Sequence, residues 1–506
     1  MLRLYTRQMN GGKGVLMMLL CGWARATAQD ASAACATCHR EIAAVYRTTP
    51  MARTSSRGVV ALPKQDATVG PYRLLTAGIL QYPGGERKLE FTLGSGSSGH
   101  SYLFRRDGYL YQAPVSYYRS MLTFDHSPGY SPERLEMARA VEPACLQCHT
   151  TGMQPVAGTQ NRFADPPYRE DGIGCERCHG SGAAHRKAPR RGNIVNPAKL
   201  DPERRDSVCA QCHLTGAARI ARTTPGTYQP GGRLSEHLAV FVWTASTGEL
   251  SATSHYDRLE QSGCKKASGA KLWCGSCHSP HPVKAASYDA ACQNCHATKP
   301  CTAGKKADCA GCHMPKGPSR TVDHLAFTDH AIPRKPGVPL TEGDKSELVS
   351  FWRNTPEVRD LALGYSVVAP TVAAVRPRTL QLLQKAEAEN PKDVPVLAQL
   401  ATFYERMRRG AQAAELTERI YTLDPNHQAT LVNLGSERAK QGRLPEAIAL
   451  WKKALLRNPA LTPARVNLAV ALYQSGEKEQ ARRELETALV WDPGSEQAQR
   501  LLDEMR

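Results

Sequence analysis

Seven copies of C-x-x-C-H constrain this chain more than any other feature. They run Cys35–His39, Cys145–His149, Cys175–His179, Cys209–His213, Cys274–His278, Cys292–His296 and Cys309–His313. A lone C-x-x-C pair is also a redox or zinc signature. Seven copies, each followed by His, point instead to c-type haem attachment. The two thiols, Cys35 and Cys38, Cys145 and Cys148, Cys175 and Cys178, Cys209 and Cys212, Cys274 and Cys277, Cys292 and Cys295, Cys309 and Cys312, would each bond one haem. The adjacent His39, His149, His179, His213, His278, His296 or His313 would be its proximal iron ligand. The expected cofactors are therefore seven covalently bound haem c groups and their iron.

Composition fits that reading. Aromatics are 6% of 506 residues, with Gly 40 and Pro 34, a loop-rich balance in which haems would replace side chains as interior. Net charge is +18, yet four basic residues (Arg3, Arg7, Lys13, Arg25) fall in the first 28 residues, and each haem brings two propionate carboxylates. With no Lys/Arg run of five, no nucleic-acid partner is expected. The basic excess pairs with propionates or steers an acidic redox partner.

Residues 1–28 read as a secretory signal. Basic residues precede a short apolar run, Val15 to Leu20, and Ala26-Thr27-Ala28 offers a cleavage site. The run is too short to span a bilayer, so no transmembrane anchor is expected in the mature chain. The expected location is periplasmic or otherwise exported. Cys21, inside the run, leaves a lipoprotein as a minor alternative.

The expected fold is mainly α. A loop-rich multihaem cytochrome domain covers 29–335 and carries a small antiparallel β insert at about 59–130. Leu89-Glu90-Phe91-Thr92-Leu93, Ser101-Tyr102-Leu103-Phe104 and Tyr109-Leu110-Tyr111 supply its strands, and Gly94-Ser95-Gly96 and Asp107-Gly108 its turns. Short helices should end on the C-x-x-C-H motifs. A linker at 336–359 leads to an α-helical solenoid at 360–506. There Pro391, Pro425, Pro459 and Pro493 recur every 34 residues, with small residues in register at Ala401, Gly435 and Ala469, and at Ala413, Ala447 and Ala481. This is the tetratricopeptide period. A degenerate repeat precedes it, and such a domain is expected to fold by itself.

Sixteen His less the seven motif residues leave His100, His126, His185, His237, His255, His281, His324, His330 and His427. His427 lies between repeats and reads as a surface residue. His185 and His281 follow motif histidines too closely to ligate the same haem, so each should reach a neighbouring one. Cys264 and Cys301 are the thiols left over in the mature chain and are expected to pair as a disulfide.

Several stretches carry a resemblance: Cys178-His179-Gly180-Ser181-Gly182-Ala183-Ala184-His185, Leu272 to His281, Cys312-His313-Met314-Pro315-Lys316, and Phe327-Thr328-Asp329-His330. They are similar to multihaem cytochromes related to the tetrahaem electron acceptor of hydroxylamine oxidoreductase (cytochrome c-552/4-like), a group often fused to tetratricopeptide repeats. Gly94-Ser95-Gly96, Ser101-Tyr102-Leu103 and Pro114 to Tyr118 also resemble that group. The resemblance implies His100, His185, His255, His281, His324 and His330 as distal iron ligands. Thr49-Pro50-Met51 resembles a stretch after the family's first haem, which implies Met51 as a thioether ligand there; His100 or His126 is the rival. Seven motifs depart from the tetrahaem relative, so its partner does not carry over.

The resulting expectation is an electron carrier, more carrier than enzyme, whose repeats or haem edges dock redox proteins. The alternatives are a multihaem reductase of nitrite, hydroxylamine or a sulfur oxyanion, with one open haem, and a haem-containing scaffold or sensor.

Overall fold

The computed structural model describes residues 31–244, 250–251, 254–282, 287–297, 308–318, 326–334, 347–352 and 354–505. The expected signal, Cys21, His324, Cys301 and with it the disulfide, and half of the expected linker lie outside the described residues.

Among the described residues every strand falls between Ser55 and Ser350. The β insert is larger than the sequence suggests and begins earlier. A five-stranded antiparallel sheet runs Ser55–Arg57, Phe91–Leu93, Gly99–Arg106, Tyr109–Tyr118, Thr123–His126, in that spatial order. A second sheet is a four-stranded meander from Ala67–Val69 to Gly85–Lys88. Alternation along the long strands sends side chains to two cores. Tyr102, Phe104, Tyr111, Ala113 and Val115 pack toward the meander residues Tyr72, Leu74 and Leu80. Leu103, Leu110, Phe91 and Leu93 pack the other way, on Leu146, Phe163 and Tyr168. Leu146 belongs to the helix Pro143–His149, so the second motif is seated directly on this sheet.

Short helices do end on the motifs. Pro143–His149, Glu176–His179, Pro202–His213, Tyr288–His296 and Cys309–His313 all finish at the motif His. In a helix, positions i, i+3 and i+4 share one face, so both thiols and the imidazole point the same way. Three of the five carry side-chain caps: Asp201 accepts from Arg204 N, Ser287 from Ala290 N, and Asp308 from Gly311 N.

Three β elements among the described residues have no counterpart in the expected fold. Thr150–Pro155 pairs with Phe163–Asp171, Lys316–Pro318 pairs with Ala326–Thr328, and Leu238–Thr244 lies between Ala218–Ala221 and Glu347–Ser350. The Leu238–Thr244 sheet buries Phe241 and Trp243 in one core with the first solenoid helices.

The solenoid consists of antiparallel helix pairs: Arg376–Glu389, Val394–Arg406, Gly410–Leu423, Gln428–Lys440, Leu444–Arg457, Thr462–Gln474, Lys478–Trp491 and Glu496–Glu504. Small residues set the close approach within pairs. A Cβ on Gly435 would lie 2.6 Å from Trp451 Nε1.

The solenoid is not an appendage. At one end the helix Val358–Val368 lies on the Leu238–Thr244 sheet, with a Cβ at Gly364 placed 2.7 Å from the Phe241 ring. Buried Asp360 accepts from Arg222 Nε at 2.6 Å. At the other end Trp491 enters the β-insert core. Its ring sits 5.5 Å from that of Tyr111, with the Arg106 guanidinium 4.0 Å above it. Arg106 and Arg87 both donate to the Val490 carbonyl. Both ends of the solenoid thus share core with the residues before it.

Candidate haem sites

The described histidines come in facing pairs. His39 and His185 have ring centroids 6.3 Å apart with planes 15° from parallel. His179 and His281 stand at 5.9 Å and 10°, His213 and His255 at 6.1 Å and 9°, and His278 and His330 at 6.2 Å and 26°. Direct stacking would bring parallel rings closer than this. Two imidazoles sharing one metal have two metal–nitrogen bonds of about 2 Å and about 1 Å more on each side to the ring centre, so their centroids stand roughly 6 Å apart. In each pair one member is a motif His and the other is not. None is paired with the histidine nearest to it in sequence. Among the described residues no three His, Cys, Asp or Glu converge on a metal ion. Donors in twos suit a porphyrin, which brings its own four nitrogens.

The ring orientation fits ligation. A carbonyl only accepts, so an imidazole nitrogen bonded to one carries the proton. Nδ1 donates to a carbonyl in His179 (Val195, 2.7 Å), His185 (Arg190, 3.1 Å), His313 (Pro333, 2.9 Å) and His330 (Thr328, 2.9 Å). The neutral ring then keeps its lone pair on Nε2, the atom a metal takes. Burial holds His149, His213, His278, His281 and His330 below the ordinary value, hence neutral. His255 is pushed down to about 3 by burial and then by His330, His213 and His278.

His255 also stacks on His330 at 4.5 Å, side by side, while each faces a different motif His. This locks the fourth and fifth sites together. A buried ion pair fixes the geometry: Arg258, on the helix His255–Gln261, grips Asp329 through Nε (2.9 Å) and Nη2 (2.6 Å). Sequence reasoning did not single out Arg258. The clue was available in Asp329, next to His330 in a quoted motif.

Thiols of different motifs also meet. Cys148 and Cys212 lie against each other, which lowers the Cys148 thiol and raises that of Cys212, and Cys148 Sγ donates to the Gln211 carbonyl at 3.8 Å. Cys209 and Cys274 are similarly joined. Burial, reinforced by Cys175, pushes the Cys35 thiol up to about 11. Cys292 lies against Cys309.

Other expected ligands sit elsewhere. His185, not Met51, faces His39; Met51 is in the one-turn helix Met51–Arg53, and its carbonyl accepts from Ile173 N at 3.0 Å. His100 is on the strand Gly99–Arg106, its Nδ1 bonded to the Gly94 carbonyl at 3.0 Å, with no motif imidazole facing it among the described residues. His126 leans on Asp125, and His237 on Thr223. His427 is not an idle surface residue: it is half-buried and caps the helix Gln428–Lys440. Among the described residues no imidazole faces His149 or His296.

The family described as "Cytochrome c554 and c-prime" matches residues 120–180, across the second and third motifs. The family described as "Tetratricopeptide repeat" matches residues 438–504. One segment of this chain is thus similar to a cytochrome c family and another to tetratricopeptide repeats. Solved structures similar to it include a crystal structure of MamA (19% identical, covering 28% of this chain and 81% of that one, TM-score 0.25). Another is pilF of Pseudomonas aeruginosa (19% identical, covering 29% of this chain and 67% of that one, TM-score 0.26). No curated protein matches it. Among the described residues no helix is long and apolar enough to cross a membrane.

Proposed function

We propose that this chain is an exported seven-haem c-type cytochrome that passes single electrons between redox proteins, with the repeats as a docking surface. The observation that carries this reading is the set of four motif-to-distant imidazole pairs, with centroids 5.9 to 6.3 Å apart. Bound haem supplies one-electron chemistry; the protein supplies ligands, spacing and polarity. Here the ligands hold the sites in contact. Cys148 meets Cys212, Cys209 meets Cys274, and Cys35 meets Cys175. His281 ties the third site to the fifth. Together these make one connected route from the second motif through the fourth, fifth and third to the first. The sequence resemblance to the acceptor of hydroxylamine oxidoreductase supports transfer between proteins, without identifying either partner.

The rival reading is a multihaem reductase with one open haem. Pyridine haemochrome assay with intact mass measures haem number, and electron paramagnetic resonance counts low-spin against high-spin iron. Seven haems with low-spin iron prevailing is the expected result. Four or fewer haems overturns the proposal, and a substrate-sensitive high-spin signal moves it to the reductase.

A further inference from the structure

One cavity takes no part in the imidazole pairs. It has a volume of about 1010 Å³ and opens at the edge of the five-stranded sheet. Arg53, Lys64 and Arg119 line it, and no Asp or Glu does. Elsewhere in this chain arginines are commonly matched: Arg57 with Asp171, Arg105 with Glu90, Arg222 with Asp360. Among the described residues none of the three cavity cations has a carboxylate partner.

All three side chains are exposed at the cavity mouth. The Arg53 guanidinium donates to the Thr48 carbonyl, and the main-chain N–H of Arg119 donates to Ser98 O at 2.9 Å, which fixes the backbone that carries this arginine. Leu62, Pro63 and Phe124 form apolar walls. A side chain at Gly96 would strike His100: its Cβ would lie 2.7 Å from Nε2, at a backbone φ of +79°. Glycine here lets the loop 94–97 close over His100 as one wall of the cavity. The Gly-Ser-Gly stretch, left without a role by the haem reading, thus has one.

We propose that this cavity binds a small multivalent anion, one carrying at least two negative charges. Three positive charges facing a concave, partly apolar surface call for a counter-charge that the chain does not provide. A monovalent anion would leave most of that field unmatched. No lining residue belongs to a C-x-x-C-H motif; His100, which the resemblance offers as a distal ligand, lines the cavity but faces no motif imidazole among the described residues.

The test is titration calorimetry on the full-length, haem-loaded protein at low ionic strength, with citrate, phosphate and acetate as probes. Saturable one-to-one binding of citrate or phosphate, with acetate at least tenfold weaker, is expected. Arg119→Gln and Lys64→Gln should each weaken it at least tenfold, and Arg378→Gln, on the solenoid, should not. Lys64 is exposed, so its variant tests the site even if Arg119→Gln fails to load haem. The proposal is overturned by absent binding, by equal binding of acetate, or by affinity unchanged in Lys64→Gln. It is also overturned if Arg119→Gln shifts a haem potential in anion-free buffer while the wild type binds no probe; the arginine would then be a propionate partner.

Discussion

The four facing pairs reduce to individual nitrogen atoms. The Arg190 carbonyl takes the Nδ1 proton of His185, so its Nε2 keeps the lone pair, and under the proposed reading that nitrogen would serve the first site. Replacing it with Met exchanges imidazole for a softer thioether, which raises reduction potential. His185→Met should raise one potential, leave the others nearly unmoved and add a near-infrared sulfur-to-iron band in magnetic circular dichroism. Seven unchanged potentials would reject the pairing. His427 permits a prediction free of iron. Its Nδ1 accepts from Thr430 N as a helix cap, which requires the unprotonated ring. Burial, the largest cause, holds it below its ordinary value of 6.5. A base depressed in the folded state contributes stability above pH 6.5 that is lost as pH falls through the folded value. His427→Asn keeps a capping acceptor that does not titrate. The variant's stability should therefore fall less between pH 7 and pH 5 than that of the wild type, measured by denaturant unfolding at each pH.

At the scale of elements, the motif helices and the repeat register were legible because both are local. Three thiol–imidazole positions in five residues, and small residues every 34, are patterns along the chain itself. The Leu238–Thr244 strand was not legible. Its run Leu-Ala-Val-Phe-Val-Trp-Thr is buried on both faces, so it lacks the alternation that marks a strand. Its partner Glu347–Ser350 is about a hundred residues away. Which imidazoles face each other was half legible: spacing suggests that His185 and His281 reach beyond their own motif, and folding brings them opposite His39 and His179. Met51 is a sequence neighbour of His39, but the imidazole that faces His39 is His185, from beside the third motif. The strand's packing gives a sharp test. Gly364 faces the Phe241 ring at a distance no real Cβ adopts. Gly364→Val should cost about 1–3 kcal/mol by overpacking. Gly435→Ala should be felt in the solenoid alone, so loss of haem-domain tryptophan and tyrosine signal in Gly364→Val, and not in Gly435→Ala, checks that this helix belongs to both parts.

Across the whole molecule the chain closes on itself. Val490 accepts from Arg87, 403 residues earlier, and Asn458 donates to Gln160, 298 residues earlier. Trp491→Ala would remove the ring between Tyr111 and Arg106, at roughly 3–5 kcal/mol for truncating a buried Trp. The expected outcome is faster proteolysis at both the last helices and the β insert. Cleavage confined to the last helices would mean that Trp491 only stabilises its own repeat.

That closure sets an order of events during synthesis. Chains emerge N-terminus first, and contacts between distant residues form late. The β insert is complete early, yet the slot beside Tyr111 waits for residues near the end of the chain. Until they arrive, its apolar floor faces water and other chains. A premature stop near residue 478 would remove little more than the last two helices in length, but it would leave the first-made sheet permanently open to aggregation.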